Sequence, residues 1–410
     1  MSTAWNGPDP TRDLPLGADD LVPAGAPSAL TIDLDAIEAN VALLRAHSGQ
    51  AEVMAVVKAD GYGHGMVPSA RAALAGGATW LGVAQLGEAL ELRAAGITAP
   101  ALAWLSVPGD RYAEAVQQGV DLGVGGLGTL HEIAAAAREV GGTARVHLKL
   151  DTGLGRNGVR FERWPELVDA ALKEQAEGLI EVVGAMSHYA ISDAPADPSV
   201  QAQTAVFTEA LAWAEAHGAH FTARHLANSA ATLTNPAARF DLVRPGLAVY
   251  GLNPSPEVPA ELAAALRPAM TWAARIAQVK EVPADTGVSY GLTYRTSEPT
   301  TLALVPLGYG DGVPRSASDT GPISLGGRRF TVAGRVCMDQ FVVDVGTAAA
   351  ADLDLRAGQV AVLFGDPATG VPSADAWAEA AGTISYEIVT RVGSRVPRRY
   401  RGRATAKETM

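Results

Sequence analysis

The chain has 410 residues, 48% of them hydrophobic and 19% charged, the proportions of an ordinary soluble globular protein. Thirty-two basic residues against 44 acidic ones leave a net charge of −12, which argues against nucleic acid or an anionic membrane as a partner of the whole chain. The single cysteine, Cys337, excludes an internal disulfide and a cysteine-based zinc cluster, in keeping with a reducing cytoplasm.

Residues 1–27 are rich in Pro, Gly, Ala and Asp and lack both the basic start and the apolar run of a signal peptide. They are expected to form a disordered N-terminal extension. No later stretch reaches the roughly 18 apolar residues of a membrane span. From Ser28 to about Ala264, short β-rich runs alternate with alanine-rich stretches of helical length. Alanine favours helix because its side chain loses no rotamer entropy there. The apolar runs are Val53–Val57, Trp80–Ala84, Ala101–Leu105, Asp121–Val124, Val146–Leu150, Val182–Met186, Ala223–Leu226 and Leu242–Arg244. Helical stretches include Gly87–Ala95, Leu130–Val140, Trp164–Gln175 and Val200–His217. Eight such βα units are the number that closes a barrel, so a (β/α)8 TIM-like barrel over 28–266 is expected, with an open doubly wound sheet as the competing solution. Near Arg267 the texture changes. Gly and Pro punctuate β-rich runs at Met270–Val282, Thr301–Pro306, Phe330–Val336, Phe341–Val345 and Val360–Phe364, and little helical pattern remains. This reads as a separate mainly-β domain over 267–405. The run Ala29–Leu34 could pair with either domain.

Polar residues at the barrel strand ends carry the chemistry. Lys58 follows Met54-Ala55-Val56-Val57, Lys149 interrupts His147-Leu148-Lys149-Leu150-Asp151, His188 follows Gly184-Ala185-Met186-Ser187, Asn228 and Ser229 follow His225-Leu226-Ala227, and Arg244 closes Asp241-Leu242-Val243. A barrel gathers such side chains at its carboxyl-terminal face, where active sites of this fold are built. A lysine beside an apolar strand loses hydration, which lowers its pKa and makes it a nucleophile able to form a Schiff base. An isolated strand-end lysine more often reaches solvent. Here Lys58-Ala59-Asp60-Gly61-Tyr62-Gly63-His64-Gly65 follows; its glycines allow close backbone approach to a ligand, and Tyr62 can donate to a phosphate.

With these residues in place, the chain resembles the alanine racemase family, fold-type III pyridoxal phosphate (PLP) enzymes. The resemblance covers Leu30 to Arg403 and rests on nine segments in family order: AVVKADGYGHG, HLKLDTGLGRNGV, SHYA, HLANSAAT, VRPGLAVYG, GVSYGLTY, LGYGDG, GRVCMDQ and YEIVTRVGSRVPR. It implies that Lys58 carries pyridoxal 5′-phosphate as a Schiff base and acts as one catalytic base. Tyr290 is the opposing base, delivered from the second subunit of a homodimer with shared active sites; without the motif it would read as an aromatic core residue. Two bases on opposite faces can remove and return the α-proton without moving the substrate. Arg244 resembles the residue that meets the pyridine nitrogen of PLP. Being donor-only, it cannot accept a hydrogen bond from a protonated ring nitrogen and so cannot keep that nitrogen protonated as a carboxylate partner does. His188 is expected to hydrogen-bond Arg244. The phosphate is assigned to Tyr62, Asn228, Ser229, Tyr386 and the amides of Gly246 and Leu247, although Ser229 would equally suit a helix cap. Arg156 matches the residue near the cofactor's phenolic oxygen and the substrate carboxylate, and the Met338 amide matches a substrate-carboxylate contact. Tyr309 and Arg335 match residues of the substrate entrance, and Lys149 matches a position that is carbamylated in many members. No metal is implied, and Cys337 reads as packing. Leu154, Asn157 and Asp60-Gly61 depart from the usual family residues without touching a catalytic side chain.

The implied activity is interconversion of L- and D-alanine, supplying D-alanine for peptidoglycan in the cytoplasm. The alternatives are a racemase of serine or a broader amino-acid set, and a non-enzymatic PLP-binding protein, which would need neither Tyr290 nor the β domain. Related decarboxylases generally place an acid at the pyridine nitrogen, and Arg244 opposes them. A nicotinamide enzyme is a further rival, because Gly153-Leu154-Gly155-Arg156-Asn157-Gly158 matches GxGxxG. That motif needs a helix directly after it, and Val159-Arg160-Phe161 follows instead. The basic tail of Arg391, Arg395, Arg398, Arg399, Arg401 and Arg403 is read as salt-bridged packing near the dimer interface or a solvated face rather than a nucleic-acid site.

Overall fold

The computed structural model describes residues 17–402. They divide into two compact units, residues 37–266 and residues 17–36 with 267–402.

In the first unit eight parallel strands follow one another around a ring: Glu52–Val56, Trp80–Val83, Ala101–Ala103, Asp121–Val124, Ala144–Asp151, Ile180–Met186, Ala223–His225 and Leu242–Val243, the last paired back onto the first. Between the seventh and eighth strands, Asp241 N–H donates to the Arg224 carbonyl at 3.1 Å and Arg244 N–H to the Ala227 carbonyl at 2.8 Å. The ring therefore closes as a TIM-like barrel rather than opening as a doubly wound sheet. Strands covered on both faces need continuous apolar runs, and Trp80–Val83, Ala101–Ala103 and Asp121–Val124 are buried throughout. The helix Leu127–Val140 buries Leu130, Ile133, Ala134 and Ala137 on one face, the spacing of an amphipathic helix. Pro198–Ala216 starts on proline and is capped by Asp197, whose carboxylate accepts from Ser199 N–H at 2.8 Å.

The second unit is a nine-stranded sheet. Its path runs Gln278–Val282, Thr300–Val305, Phe341–Asp344, Arg328–Ala333, Pro322–Leu325, Val360–Phe364, Met270–Arg275, Ser28–Asp33, Arg398–Arg401. All neighbours are antiparallel except the last pair. No helix of the described residues is long and apolar enough to cross a membrane.

Four sequence expectations need correction here. The barrel boundary at residue 28 moves: the run Ala29–Leu34, open to either domain, forms the strand Ser28–Asp33 of this sheet, with Leu30 opposite Trp272 and Arg398. A β-run carries no signal of its partner, because pairing is a long-range choice. Residues 17–27 are not a loose extension: Val22 is fully buried with Ala273 and Val362, and Arg275 donates to the Val22 and Pro23 carbonyls. Residues 1–16 of the expected extension lie outside the described residues. The run Met270–Val282 breaks into two strands, Met270–Arg275 and Gln278–Val282, far apart in the sheet path. Helices do occur after residue 267, at Thr347–Asp352, Ala374–Ala381 and Ser385–Thr390; the two six-residue ones are too short to leave a periodic pattern. The terminal arginines are tied down within this unit: Arg395 pairs with Asp311 and Asp339, Arg401 with Asp33, and Arg399 donates to the Asp19 and Asp20 carbonyls. Arg403 lies outside the described residues.

Candidate active site

The first barrel strand ends at Val56 and the chain turns sharply at Lys58. Ala59, Asp60, Gly61 and Tyr62 all hold left-handed backbone angles, with φ of 53°, 54°, 61° and 53°. Only glycine adopts such angles freely, and three of these four carry a Cβ, at roughly 1–2 kcal/mol each. The surroundings hold the turn in place. Glu88 Oε1 accepts from Ala59 N–H at 2.6 Å while its Oε2 accepts from Ala84 and Gln85 N–H at 2.9 and 3.0 Å. Asp60 Oδ1 accepts from Met66 N–H at 2.9 Å. The unusual Asp60-Gly61 pair thus has local reasons: a carboxylate that caps the next helix, and a residue free of strain at φ 61°.

Lys58 Nζ lies 5.9 Å from the Trp104 ring centroid. Burial first, then Arg156, lowers its pKa, with Glu88 opposing. Lys149 behaves the same way more strongly: burial, Arg244 and Arg156 push it down to about 8. Four cations, Lys58, Lys149, Arg156 and Arg244, thus act on one another at the carboxyl-terminal mouth. His188 is pushed down to about 3 by burial and then by those cations, so it stays neutral. A mouth of this charge suits an anionic ligand.

Arg244 is 7% exposed. Its guanidinium donates to the Ser187 carbonyl at 2.6 Å and to His225 Nδ1 at 2.9 Å, and reaches His188 Nδ1 at 3.4 Å. Burial lowers its pKa to about 10, so it remains charged at neutral pH. None of these partners is a carboxylate.

Beside it, Ser229 Oγ accepts from Gly246 N–H at 2.8 Å and Ala248 N–H at 3.3 Å. A Cβ at Gly246 would sit 2.3 Å from the Tyr62 hydroxyl, so the glycine is what lets Tyr62 reach this backbone. Tyr62 stacks on Tyr250, which also stacks on His64. Hydroxyls of Tyr62 and Ser229 and the amides of 246–248 therefore converge, a donor set that fits a phosphate. The helix cap is made by the residue before Ser229. Asn228 caps the helix Ser229–Thr234 by accepting from Ala231 N–H and donates to Ser192 Oγ. The side-chain amide of Asn228, expected at the cofactor, has both of these partners within the barrel unit.

Arg156 is exposed in a loop that Asp151 shapes by accepting from Gly153 and Gly155 N–H. The glycine-rich stretch leads into the short strand Val159–Arg160, not a helix, so the dinucleotide geometry is absent there.

The remaining expected residues belong to the other unit. Tyr290 is 71% exposed on a tight turn between the paired strands Gly287–Val288 and Tyr294–Arg295. Ser289, at φ 62°, anchors the turn by donating to the Arg335 carbonyl at 2.6 Å and lies 3.3 Å from Cys337 Sγ. Tyr309 N–H donates to the Cys337 carbonyl and Gly310 N–H to that of Met338, so Tyr290, Arg335, Cys337, Met338 and Tyr309 share one surface region. Met338 and Tyr309 are exposed there, and Tyr386 sits half exposed on Ser385–Thr390.

Sequence reasoning missed Glu88, His147, His225 and Asp121. Glu88 was findable: glutamate three residues after Gln85 is the capping-box spacing, and that box is present. His147 shares a strand face with Lys149 by alternation.

Comparison with known proteins follows the same lines. Residues 32–254 match the family model "Alanine racemase, N-terminal domain" and residues 269–400 match "Alanine racemase, C-terminal domain". The chain is 57% identical over 373 residues to an alanine racemase of Frankia casuarinae, covering 91% of this chain and 96% of that one. It is 59% identical over 372 residues to an alanine racemase of Salinispora tropica, covering 90% and 97%. Among solved structures it superposes on the alanine racemase from D-cycloserine producing Streptomyces lavendulae with a TM-score of 0.88 at 54% identity, covering 92% of this chain and 97% of that one.

Proposed function

The chain belongs to the alanine racemase family, and from that premise we propose that it interconverts L- and D-alanine using pyridoxal 5′-phosphate at the mouth of its barrel. The observation that carries this reading is a desolvated lysine amine, Lys58, among cations whose charge suits an anionic cofactor. The relatives' activity favours alanine over serine or a broader set, and over a non-catalytic PLP carrier.

The residues fit the cofactor. Lys58 offers an amine that loses its proton more readily than a free lysine. The hydroxyls of Tyr62 and Ser229, with the Gly246 and Leu247 amides and Tyr386, suit its phosphate. Arg244, donor-only and without a carboxylate partner, suits an unprotonated ring nitrogen. Bound there, the cofactor supplies an aldehyde for amines and a ring that draws electrons from the substrate's α-carbon. Lys58 Nζ then takes or returns the α-proton on one face. Tyr290 of the partner subunit does so through its hydroxyl on the other. Arg156 and the Met338 amide hold the substrate carboxylate, with Tyr309 and Arg335 at the entrance. Lys149, pushed down to about 8, has enough neutral amine to attack carbon dioxide. The nitrogen–carbon bond forms, the amine proton leaves to solvent, and the resulting carbamate anion can orient Arg156. The working form is a homodimer, in the cytoplasm, making D-alanine for peptidoglycan.

The test is an absorbance spectrum of the purified protein before and after borohydride, with peptide mapping, alongside polarimetry of L-alanine. A colour that borohydride traps on Lys58, with loss of optical rotation, is expected. Colourless protein that takes up no pyridoxal phosphate and leaves L-alanine unchanged overturns the proposal.

A further inference from the structure

A chain of buried polar side chains crosses the barrel interior beneath Arg244. Its NH1 meets His225 Nδ1 at 2.9 Å, His225 Nε2 meets His147 Nδ1 at 2.8 Å, and His147 Nε2 meets Asp121 Oδ2 at 3.1 Å. Asp121 opens its strand and so lies at the opposite, amino-terminal end of the barrel, where Arg145 pairs with it at 2.9 Å and with Glu181 at 3.0 Å. His225 and His147 are fully buried and Asp121 is 1% exposed. Polar groups this deep are costly unless each is satisfied.

The two ends leave one arrangement of protons. A guanidinium only donates, so His225 Nδ1 must accept. His225 then carries its proton on Nε2 and donates to His147 Nδ1. His147 in turn carries its proton on Nε2 and donates to the Asp121 carboxylate, which only accepts. Every bond has one donor and one acceptor, and both rings hold a single proton. Any second proton on either ring sets two donors against each other. Burial opposes ionisation of Asp121, but hydrogen bonds from His147 and Arg145 outweigh it and keep its carboxyl below the usual range. Burial and the Arg244 charge hold the His225 ring well below its usual value. The neighbouring strand is cut to fit: a Cβ at Gly184 would lie 2.5 Å from His147 Nδ1.

We propose that Asp121 and His147 are positioning residues for Arg244, fixing through His225 the direction of a one-way hydrogen-bond chain that holds the guanidinium aimed at the ring nitrogen of the cofactor. This rests on the function proposed above, in which Arg244 meets that nitrogen. Neither residue touches substrate or cofactor. Arg244 would otherwise keep only carbonyl acceptors and the long contact to His188, which restrain its fork less.

The decisive pair of variants is His147→Gln and His147→Leu in the holoenzyme. Glutamine can accept from His225 with its carbonyl and donate to Asp121 with its amide, so it preserves the direction; leucine cannot. Outer-shell partners of this kind are commonly worth 10–100-fold in activity. His147→Leu is expected to lower kcat by roughly tenfold or more and shift the cofactor's absorbance band, with His147→Gln near wild type on both. Equal losses in the two variants, or no shift of the band, overturn the proposal. Should His147→Leu fail to fold, nuclear magnetic resonance of isotopically labelled histidines in the wild-type holoenzyme decides. Protons on Nε2 of both His147 and His225 are expected, and a proton on Nδ1 of either overturns the chain. The proton positions are read whether or not Lys58 carries the cofactor, so failure of the chain is distinct from failure of the functional reading.

Discussion

Burial among like charges sets the behaviour of the site's amines. Lys149 is pushed down to about 8 from 10.5 by burial, Arg244 and Arg156. The folded chain thus releases this proton before the unfolded chain does. Between about pH 8 and 10.5 the unfolded state binds more protons, so stability from this group rises with pH, and below 8 the full penalty is present. Lys149→Met is therefore expected to raise Tm at pH 7 in buffer freed of carbon dioxide, with the gain shrinking towards pH 10; thermal unfolding at both values checks it. A variant less stable at pH 7 would contradict the assigned cause. At Tyr290 the expected outcome is directional. Tyr290→Phe should slow α-proton exchange from L-alanine by about 100-fold or more while D-alanine keeps most of its exchange, measured by deuterium uptake with the cofactor still bound. Near-normal exchange from both enantiomers would remove Tyr290 from the mechanism. Lys58 and Arg244 were legible as residues because each closes an apolar run. Ser229 read equally as a cap or a ligand; the structure gives the cap to Asn228 and turns Ser229 Oγ to the Gly246 amide.

Among elements, the left-handed turn after Lys58 depends on a neighbouring helix. Glu88 opens Leu86–Ala94 and accepts three backbone N–H groups, one of them from Ala59. Glu88→Ala would leave those donors without their acceptor and remove a charge that raises the Lys58 pKa. Activity is expected to fall by on the order of tenfold, with the alkaline limb of the Lys58 titration moving to lower pH. A rate–pH profile reads both, and an unmoved limb would discount the electrostatic part. The barrel's layering gives a second expectation. Gly184→Ala places a methyl within 2.4 Å of the Ala223 carbonyl and 2.5 Å of His147, so the strand must shift or the histidine pair must part. A stability loss of about 1–3 kcal/mol in urea titration is expected, as for an overpacked core; a neutral result would show the interior has slack there.

For the whole molecule, the proposed pairing of two chains bears on side chains exposed in one. Tyr290, Leu292 and Met338 are each more than half exposed in the second unit, which is unusual for a surface left to water. Assembly of two chains with shared sites would cover them. Lys58→Ala and Tyr290→Phe chains, each inactive alone, should on mixing and reassembly recover roughly a quarter of wild-type activity, because half the dimers carry one intact site of two. No recovery in subunits shown to exchange would place both residues in sites of a single chain. The barrel itself was legible from eight alternating units. The sheet was less so: the run Met270–Val282 conceals two strands far apart in its path, and Ser28–Asp33 joins that sheet from the other end of the chain.

Local pattern determined the alternating strands and helices of the barrel unit and the residues at its strand ends, because periodicity and punctuation act over a few residues. The motifs around Lys58, Arg244 and Tyr290 determined the family. Tertiary structure alone decided which sheet took Ser28–Asp33, that Glu88 holds the turn after Lys58, and that Asp121, His147 and His225 form one chain beneath Arg244. Each of these is a pairing between residues distant in sequence. Such pairings are chosen by the geometry of packing, burial and donor–acceptor matching in the folded interior, which no single stretch of sequence encodes.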